Sequence, residues 1–355
     1  MAAARDGMID LLRGIAFLDM MLVHFSHYLP RLPEKIINYS DFAIEAFIVL
    51  SGYVVGRRFP FYLQQPRTMT IRLWRRAGEL YLVQCILILS VSVPMFCLKN
   101  PSGDVPVFLI QSLLLLNQVG LIHILPTFIP LLLISPVILL GFRRNLNWLV
   151  MAASVAVFAA GNVHPYLLDV GENTIFPFIL WQIYFVAGCF LGAGNFSDRL
   201  PAERRFVIAG TLLIIVLSVR FAHAIPPPWF SKFPLNALGL AYGSSLLYFI
   251  YSSAALIRRR STGKPLLLFS IVSMFGKYSL LAFVLHAYTE RLTGIISSGF
   301  RNPVVDYGLI ITGVAVIYGI LSVYDSKGKM VIPVLWSGMM TRMAGSAKRR
   351  SIERA

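Results

Sequence analysis

The chain has 355 residues, of which 57% are hydrophobic and only 14% are charged, with a mean hydropathy of +0.71. A soluble protein of this size carries nearer a quarter charged residues, so the composition excludes a large water-soluble domain and predicts an all-α, polytopic membrane protein. The net charge of +16 comes from basic residues between apolar segments, which argues against nucleic acid as a partner and favours the lipid bilayer.

The apolar segments set the predicted spans, because a bilayer core needs about 20 predominantly apolar residues per helix. About ten segments meet that need, so residues 1–325 are expected to form one helical bundle, followed by a basic cytoplasmic tail over 326–355. The stretch 105–118 is short and begins beside two prolines, which predicts a re-entrant or interfacial helix. The predicted spans are 9–28, 41–56, 77–97, 121–141, 148–163, 177–194, 206–223, 235–256, 266–288 and 304–324.

Lysine and arginine set the predicted orientation. With the N-terminus inside, the large majority of the 32 Lys and Arg residues fall in inner segments, and every inner loop is basic. An eleventh full span would reverse the predicted side of every later loop, so the basic loops would no longer all lie inside. We therefore expect both termini in the cytoplasm.

The first span is the richest in ionisable residues, which are costly inside a membrane and are candidates for function. Arg13 and His24 stand eleven residues apart, so they lie roughly 20° apart around a helix and about 16 Å apart along it. Asp10 shares that face and can pair with Arg13, whereas Asp19 points elsewhere and needs a partner from another span. The alternatives are snorkelling of Asp10 and Arg13 to lipid headgroups, and a merely structural His24.

Glu45 lies near the outer end of the second span. Because that span runs back inward, Glu45 falls roughly at the level of His24, where a carboxylate can orient an imidazole. We predict that Glu45 assists His24 in catalysis; the alternative is a structural interhelical hydrogen bond. The following Ser51-Gly52 is interpreted as a close helix-packing point.

The basic loop from Arg57 enters the third span as Arg72-Leu73-Trp74-Arg75-Arg76. Arginine offers planar, bidentate contacts to phosphate. Arg72, Arg75 and Arg76 are therefore candidates for binding a polyphosphate ligand such as coenzyme A. The alternative is a topology signal that also contacts lipid headgroups.

Three further polar residues lie in the ninth span and are candidates for substrate binding with Asp19. Lys277 and Tyr278 fall near the middle of the predicted span, and His286 falls further out, near the level of His24. Lys277 needs a carboxylate or ligand partner, and Asp19 is at a compatible depth.

These residues resemble a known family. Asp10 to Gly14 followed by His24 resembles the first-span motif of the acyltransferase-3 superfamily, in which an arginine and a histidine stand eleven residues apart. The segment Ala43 to Tyr53 resembles the second span of its OpgC branch, the osmoregulated periplasmic glucan succinyltransferases. Three other parts of the sequence resemble the same branch, namely the arginine-rich entry to the third span, Trp181 to Gly188, and Gly276 to Ala287.

The resemblance implies transfer of an acyl group from cytoplasmic acyl-CoA, as succinyl-CoA or acetyl-CoA, to a hydroxyl of a periplasmic or cell-envelope glycan at the bacterial inner membrane. It implies His24 as the catalytic histidine and Arg13 as the arginine that serves the donor. Histidine suits removal of a sugar hydroxyl proton, and basic groups can stabilise charge on the thioester oxygen. An acyl-histidine intermediate is the alternative to direct transfer.

Two other classes of function remain open alternatives. Buried His, Asp and Glu also form proton relays, so a proton-coupled transporter or glycan flippase is the second hypothesis, and a non-catalytic membrane scaffold is the third. The three cysteines, Cys85, Cys97 and Cys189, lack paired spacing, so we expect neither a disulfide framework nor a metal site.

Overall fold

The computed structural model describes residues 6–26, 42–115, 124–164, 177–194, 200–221, 231–261, 267–300 and 303–327. Nine-tenths of these residues are helical and none of them forms a strand, which confirms the all-α prediction. The predicted basic tail over 326–355, apart from its first two residues, lies outside the described ranges. The helices are α1 (Gly7–Ser26), α2 (Ala43–Arg57), α3 (Phe59–Gln64), α4 (Pro66–Leu87), a π-helical turn (Ile88–Ser92), α5 (Val93–Lys99), α6 (Val105–Leu113), α7 (Ile124–Arg143), α8 (Asn147–Val163), α9 (Phe178–Gly194), α10 (Ala202–Phe221), α11 (Ala237–Arg260), α12 (Leu267–Lys277), α13 (Ser279–Phe300) and α14 (Pro303–Lys327).

Fewer helices than predicted are long and apolar enough to cross a bilayer. Within the described ranges four qualify, namely α4 continued to Leu98, α7, α11 and α14, and a fifth is obtained if α12 and α13 count as one bent span. By this measure the prediction of about ten spans is wrong. The helices α2, α8 and α9 have only 15, 17 and 17 residues, while α1 carries Asp10, Arg13 and Asp19 and α10 begins with three charged residues.

Helices α2 and α9 pack against each other with their backbones in contact. A Cβ added to Gly52 or Gly56 of α2, or to Gly188 or Gly192 of α9, would stand 2.1 or 2.2 Å from a carbonyl oxygen of the opposite helix. Each helix thus contributes two glycines four residues apart, the pattern that lets membrane helices approach closely. The prediction that Gly52 is a packing point is confirmed.

Helices α1 and α12 also approach through glycines. A Cβ on Gly14 would stand 1.9 Å from the Val272 carbonyl oxygen, and a Cβ on Gly276 would stand 1.7 Å from that of Asp10. After Lys277 the chain turns by 86° into α13. The predicted straight span 266–288 is therefore two helices, a break that the apolar pattern does not reveal because no proline lies within it.

Helix α4 begins at Pro66, well before the third span predicted from residue 77. Proline suits the first turn of a helix because the N–H that it lacks would have no intrahelical partner there. The short helix α3 precedes it, so nearly all of the segment predicted as a basic loop is helical. The arginines up to Arg76 consequently have fixed positions around a helix.

Helix α6 occupies the short apolar stretch predicted as re-entrant or interfacial. Its nine residues extend about 13 Å, less than half of a hydrocarbon core. The Asp104 carboxylate caps the helix by accepting a hydrogen bond of 3.1 Å from the Val107 backbone N–H. A short helix rather than a span is thus present, and residues 116–118 of the stretch lie outside the described ranges.

Candidate functional site

A partly open cavity of about 390 Å³ lies between α1, α2, α4, α7 and α13. Most of its wall is aliphatic or aromatic, including Met20 of α1, Phe47 of α2 and Phe128 of α7. The polar members of the wall are Arg13, Ser51, Arg58, Arg72, Arg76 and Ser279. The cavity therefore combines a large apolar surface with four cationic groups.

The four arginines of the cavity wall differ in how far they are exposed. Arg58, Arg72 and Arg76 are exposed and Arg13 is half-buried. The Arg72 guanidinium carbon lies 4.8 Å from the centroid of the Phe61 ring, a cation–π contact that restrains it. Guanidinium groups bind phosphate oxygens through two parallel hydrogen bonds. This cavity can therefore hold a ligand with an anionic head group and a less polar arm.

The structure separates the three arginines predicted to bind the donor. Arg72 and Arg76 are four residues apart and line the cavity, while Arg75 lies on the flank of the helix, 52% exposed, with its Nε 3.4 Å from Glu79. Arg76 also bonds Glu79, at 2.9 Å. Arg58 lines the cavity but was not among the predicted site residues. It lies directly after Arg57 at the end of α2, and that basic pair was the available signal.

His24 and His286 are in direct contact. The Nδ1 of His24 lies 2.8 Å from the Nε2 of His286. The two ring planes are inclined by 13° and the ring centroids are 5.1 Å apart. This centroid distance equals the distance between the two nitrogens plus the radius of each ring, so the two nitrogens lie on the line that joins the centroids. Two nitrogens at 2.8 Å are too close for ring faces in van der Waals contact, so the rings meet edge to edge and share an N–H···N hydrogen bond.

His286 is enclosed while His24 is half-buried. The exposed fraction of His286 is 1%, and the Phe17 and Phe25 rings approach it edge-on at centroid distances of 6.0 and 5.4 Å. Within the described part of the chain the Nδ1 of His286 has no hydrogen-bond partner. The sequence put His286 at the level of His24, and the structure adds the contact between them.

Helix α1 connects the arginines with the histidine pair. The helix is unbroken from Gly7 to Ser26, so Arg13, Met20 and His24 follow one another along one face. The α1 part of the cavity wall ends at Met20, one turn before His24. Cavity and histidine pair are thus consecutive along α1, and about 16 Å separates the levels of Arg13 and His24.

Glu45 is buried in an ion pair. Its Oε2 lies 3.0 Å from the Nζ of Lys232, and the two side chains are 3% and 16% exposed. A Cβ on Gly243 of α11 would stand 3.0 Å from the other carboxylate oxygen, so α11 closes over the pair. The prediction that Glu45 orients His24 stays a prediction, since the cation described beside this carboxylate is Lys232.

Asp19 holds the beginning of α2. Its Oδ2 accepts hydrogen bonds from the backbone N–H groups of Phe42 and Ala43, at 2.9 and 3.1 Å. A carboxylate at a helix N-terminus satisfies donors that lack intrahelical partners and interacts favourably with the helix dipole. Asp19 thus contributes to the junction of the first two helices.

Lys277 and Tyr278 lie at the break between α12 and α13 and share one carboxylate. The Lys277 ammonium and the Tyr278 hydroxyl both donate to Oδ1 of Asp325, near the end of α14. The sequence suggested Asp19 as the carboxylate partner of Lys277, whereas the structure provides Asp325. The two residues connect the bend to the last helix, and their predicted role in substrate binding stays a prediction.

The described residues contain no group of three His, Cys, Asp or Glu side chains placed to hold a metal ion. Comparison with known proteins gives one family result. The family model described as "OpgC protein" matches residues 5–327, nearly the whole chain. No curated protein and no solved structure matches the chain.

Proposed function

The chain belongs to the OpgC protein family, and from that premise we propose that it is a membrane acyltransferase that modifies a glucan. We propose acyl-CoA, with a succinyl or acetyl group, as the donor and a hydroxyl of a periplasmic or cell-envelope glycan as the acceptor. The observation that carries the proposal is the arrangement along α1, where a cavity with four arginines is followed by the His24–His286 pair.

The arginines supply the donor end of the site. Arg58, Arg72 and Arg76 bind the phosphates of coenzyme A at the cavity mouth, and Arg13 provides a further positive charge deeper inside. The apolar wall accommodates the pantetheine arm. The step of about 16 Å from Arg13 to His24 is comparable to the reach of such an arm, which delivers the thioester to the imidazole.

His24 performs the proton transfers. Its Nε2 takes the proton of the glycan hydroxyl while the hydroxyl oxygen forms a bond to the thioester carbonyl carbon. As the carbon–sulfur bond breaks, the imidazolium returns that proton to the departing sulfur, so the products are the glycan ester and coenzyme A thiol. The Glu45 carboxylate stabilises the charged form of the imidazole.

We further propose the orientation that this reaction requires. The arginine mouth faces the cytoplasm, where acyl-CoA is made, and both chain termini lie on that side of the bacterial inner membrane. Support comes from the concentration of arginine around the mouth, at positions 57, 58, 72, 75 and 76, because the cytoplasmic segments of membrane proteins are enriched in Lys and Arg. His24 is then the group nearer the periplasmic acceptor.

The test is transfer of a label by the purified full-length protein in detergent. Radiolabelled succinyl-CoA and acetyl-CoA are supplied separately with extracted periplasmic glucan, and ester-bound label on the glucan is measured. We expect transfer from at least one donor by the unsubstituted protein and transfer slower by on the order of 10²- to 10⁴-fold by His24→Ala. A matched control is His164→Ala, because His164 is an exposed residue at the end of α8. Absence of glucan label from both donors would refute the proposal.

A second candidate is a proton-coupled transporter, favoured by one observation. The 86° break at Lys277–Ser279, with its Asp325 partner, resembles the interrupted helices that form transporter sites. Proteoliposomes containing a pH-sensitive dye distinguish the two functions. Glucan-dependent proton flux without acyl-CoA would support transport, whereas transferase activity without such flux supports the acyltransferase.

A further inference from the structure

The contact between His24 and His286 restricts where protons can lie. A hydrogen bond between two neutral imidazoles requires one N–H and one lone pair. If the Nδ1 of His24 donates, its Nε2 carries the lone pair that a general base needs. If the Nε2 of His286 donates instead, the Nε2 of His24 carries a proton and cannot accept another.

Charging His24 removes this ambiguity. An imidazolium donates from both nitrogens, so once His24 has taken the substrate proton its Nδ1 must donate, and the Nε2 of His286, at 2.8 Å, must accept. The same hydrogen bond then becomes charge-assisted, which makes it roughly twice as strong as a neutral one. An interaction that strengthens as charge develops lowers the barrier rather than only tightening binding.

The surroundings of His286 explain why a neutral acceptor occupies this position. The side chain is 1% exposed and lies between Phe17 and Phe25. A carboxylate buried against phenylalanine rings would bring a charge into an apolar setting and would require a cation beside it. An imidazole accepts the hydrogen bond without bringing a charge of its own.

We propose that His286 is the positioning residue for His24, accepting a hydrogen bond from its Nδ1 and so stabilising the imidazolium formed during transfer. The inference rests on the proposed acyltransferase function. It assigns His286 a role through His24 rather than in substrate binding, the role that the sequence suggested.

Two substitutions separate this role from packing. His286→Phe keeps an aromatic ring beside Phe17 and Phe25 but removes the acceptor, whereas His286→Gln loses the ring but offers an amide oxygen to the Nδ1 of His24. We expect His286→Phe to lower kcat on the order of 10- to 100-fold, with the KM for acyl-CoA unchanged. His286→Gln should retain a larger kcat than His286→Phe.

Donor binding and the melting temperature of each variant in detergent report whether it is folded. A packing role predicts the opposite ranking, with His286→Phe near the unsubstituted kcat and His286→Gln unstable, and that result would overturn the inference. Equal kcat in all three folded proteins would overturn it as well. If the unsubstituted protein transfers no label, the proposed function fails and the inference with it, an outcome distinct from transfer that does not depend on His286.

Discussion

The cationic mouth of the cavity and two lysine–carboxylate ion pairs place charge in the same apolar bundle in different ways. At the mouth, Arg58, Arg72 and Arg76 are exposed and line open space, and Arg76 also contacts the Glu79 carboxylate of its own helix. In the pairs Glu45–Lys232 and Lys277–Asp325, a carboxylate and an ammonium of this chain neutralise each other. Charges of the first kind are open to a ligand, and charges of the second kind link parts of the chain that are far apart in sequence. Depth in the membrane alone does not distinguish them.

The largest effect should come from the residue that belongs to neither group. His24→Ala removes the proposed base, and general acid–base catalysis contributes on the order of 10²- to 10⁴-fold, so kcat should fall by that factor. Acyl-CoA affinity should be retained, since the arginines remain. Single-turnover transfer and equilibrium binding of labelled donor measure the two quantities. Turnover equal to that of the His164→Ala control would exclude His24 from the site.

Breaking the Glu45–Lys232 pair should mainly affect stability. Removing one partner of a buried ion pair leaves an uncompensated charge and costs about 3–5 kcal/mol, so Lys232→Met should lower the melting temperature of the detergent-solubilised protein markedly. Adding Glu45→Gln to it should restore much of the loss. If Glu45→Gln alone melts normally but loses transfer, Glu45 belongs to the catalytic site, as the sequence suggested.

Substituting the cavity arginines should affect donor binding in proportion to their position. Each of Arg72→Gln and Arg76→Gln removes an exposed charge contact worth about 1 kcal/mol, so the KM for acyl-CoA should rise about fivefold. Arg75→Gln is the matched control on the flank of the same helix and should leave KM unchanged. Equal effects of all three would mean that the mouth is recognised only by its net charge.

The smallest effect is expected at the helix break. Lys277 and Asp325 are 29% and 28% exposed, so Lys277→Met should cost about 1 kcal/mol of stability or less and leave the KM for glucan unchanged. Asp325→Asn should behave alike. If the KM for glucan rises in Lys277→Met but not in Asp325→Asn, Lys277 contacts the substrate and belongs with the ligand-binding residues.

Sequence alone could predict features that depend on spacing within one helix. The eleven-residue step from Arg13 to His24 places them on one face of α1, and the described part of the short apolar stretch 105–118 forms only the short helix α6. Gly52 could be recognised as a packing point because small residues let membrane helices approach. These inferences need no knowledge of which helices are neighbours.

Features that depend on which helices are neighbours could not be predicted from spacing within one helix. Lys232 and Asp325 are far in sequence from Glu45 and Lys277, and several carboxylates stand at plausible depths, so depth did not identify the pairs. The bend after Lys277 lies in a continuous apolar run. The start of α4 at Pro66 could not be predicted, because a run of arginines is as compatible with a basic loop as with an exposed helix.

The close contact of α2 and α9 through their glycines determines which part of the cavity wall can move when a bulky molecule binds. The two backbones already touch, so α2 cannot retreat toward α9, and turning it would force a side chain against a carbonyl oxygen. Its face carrying Phe47, Ser51 and Val54 therefore forms a rigid part of the cavity wall. Helix α7 also lines the cavity and contains Pro130 and Pro136, which interrupt its regular hydrogen-bond ladder. The wall formed by α7 can therefore adapt to a bound molecule more readily than the wall formed by α2.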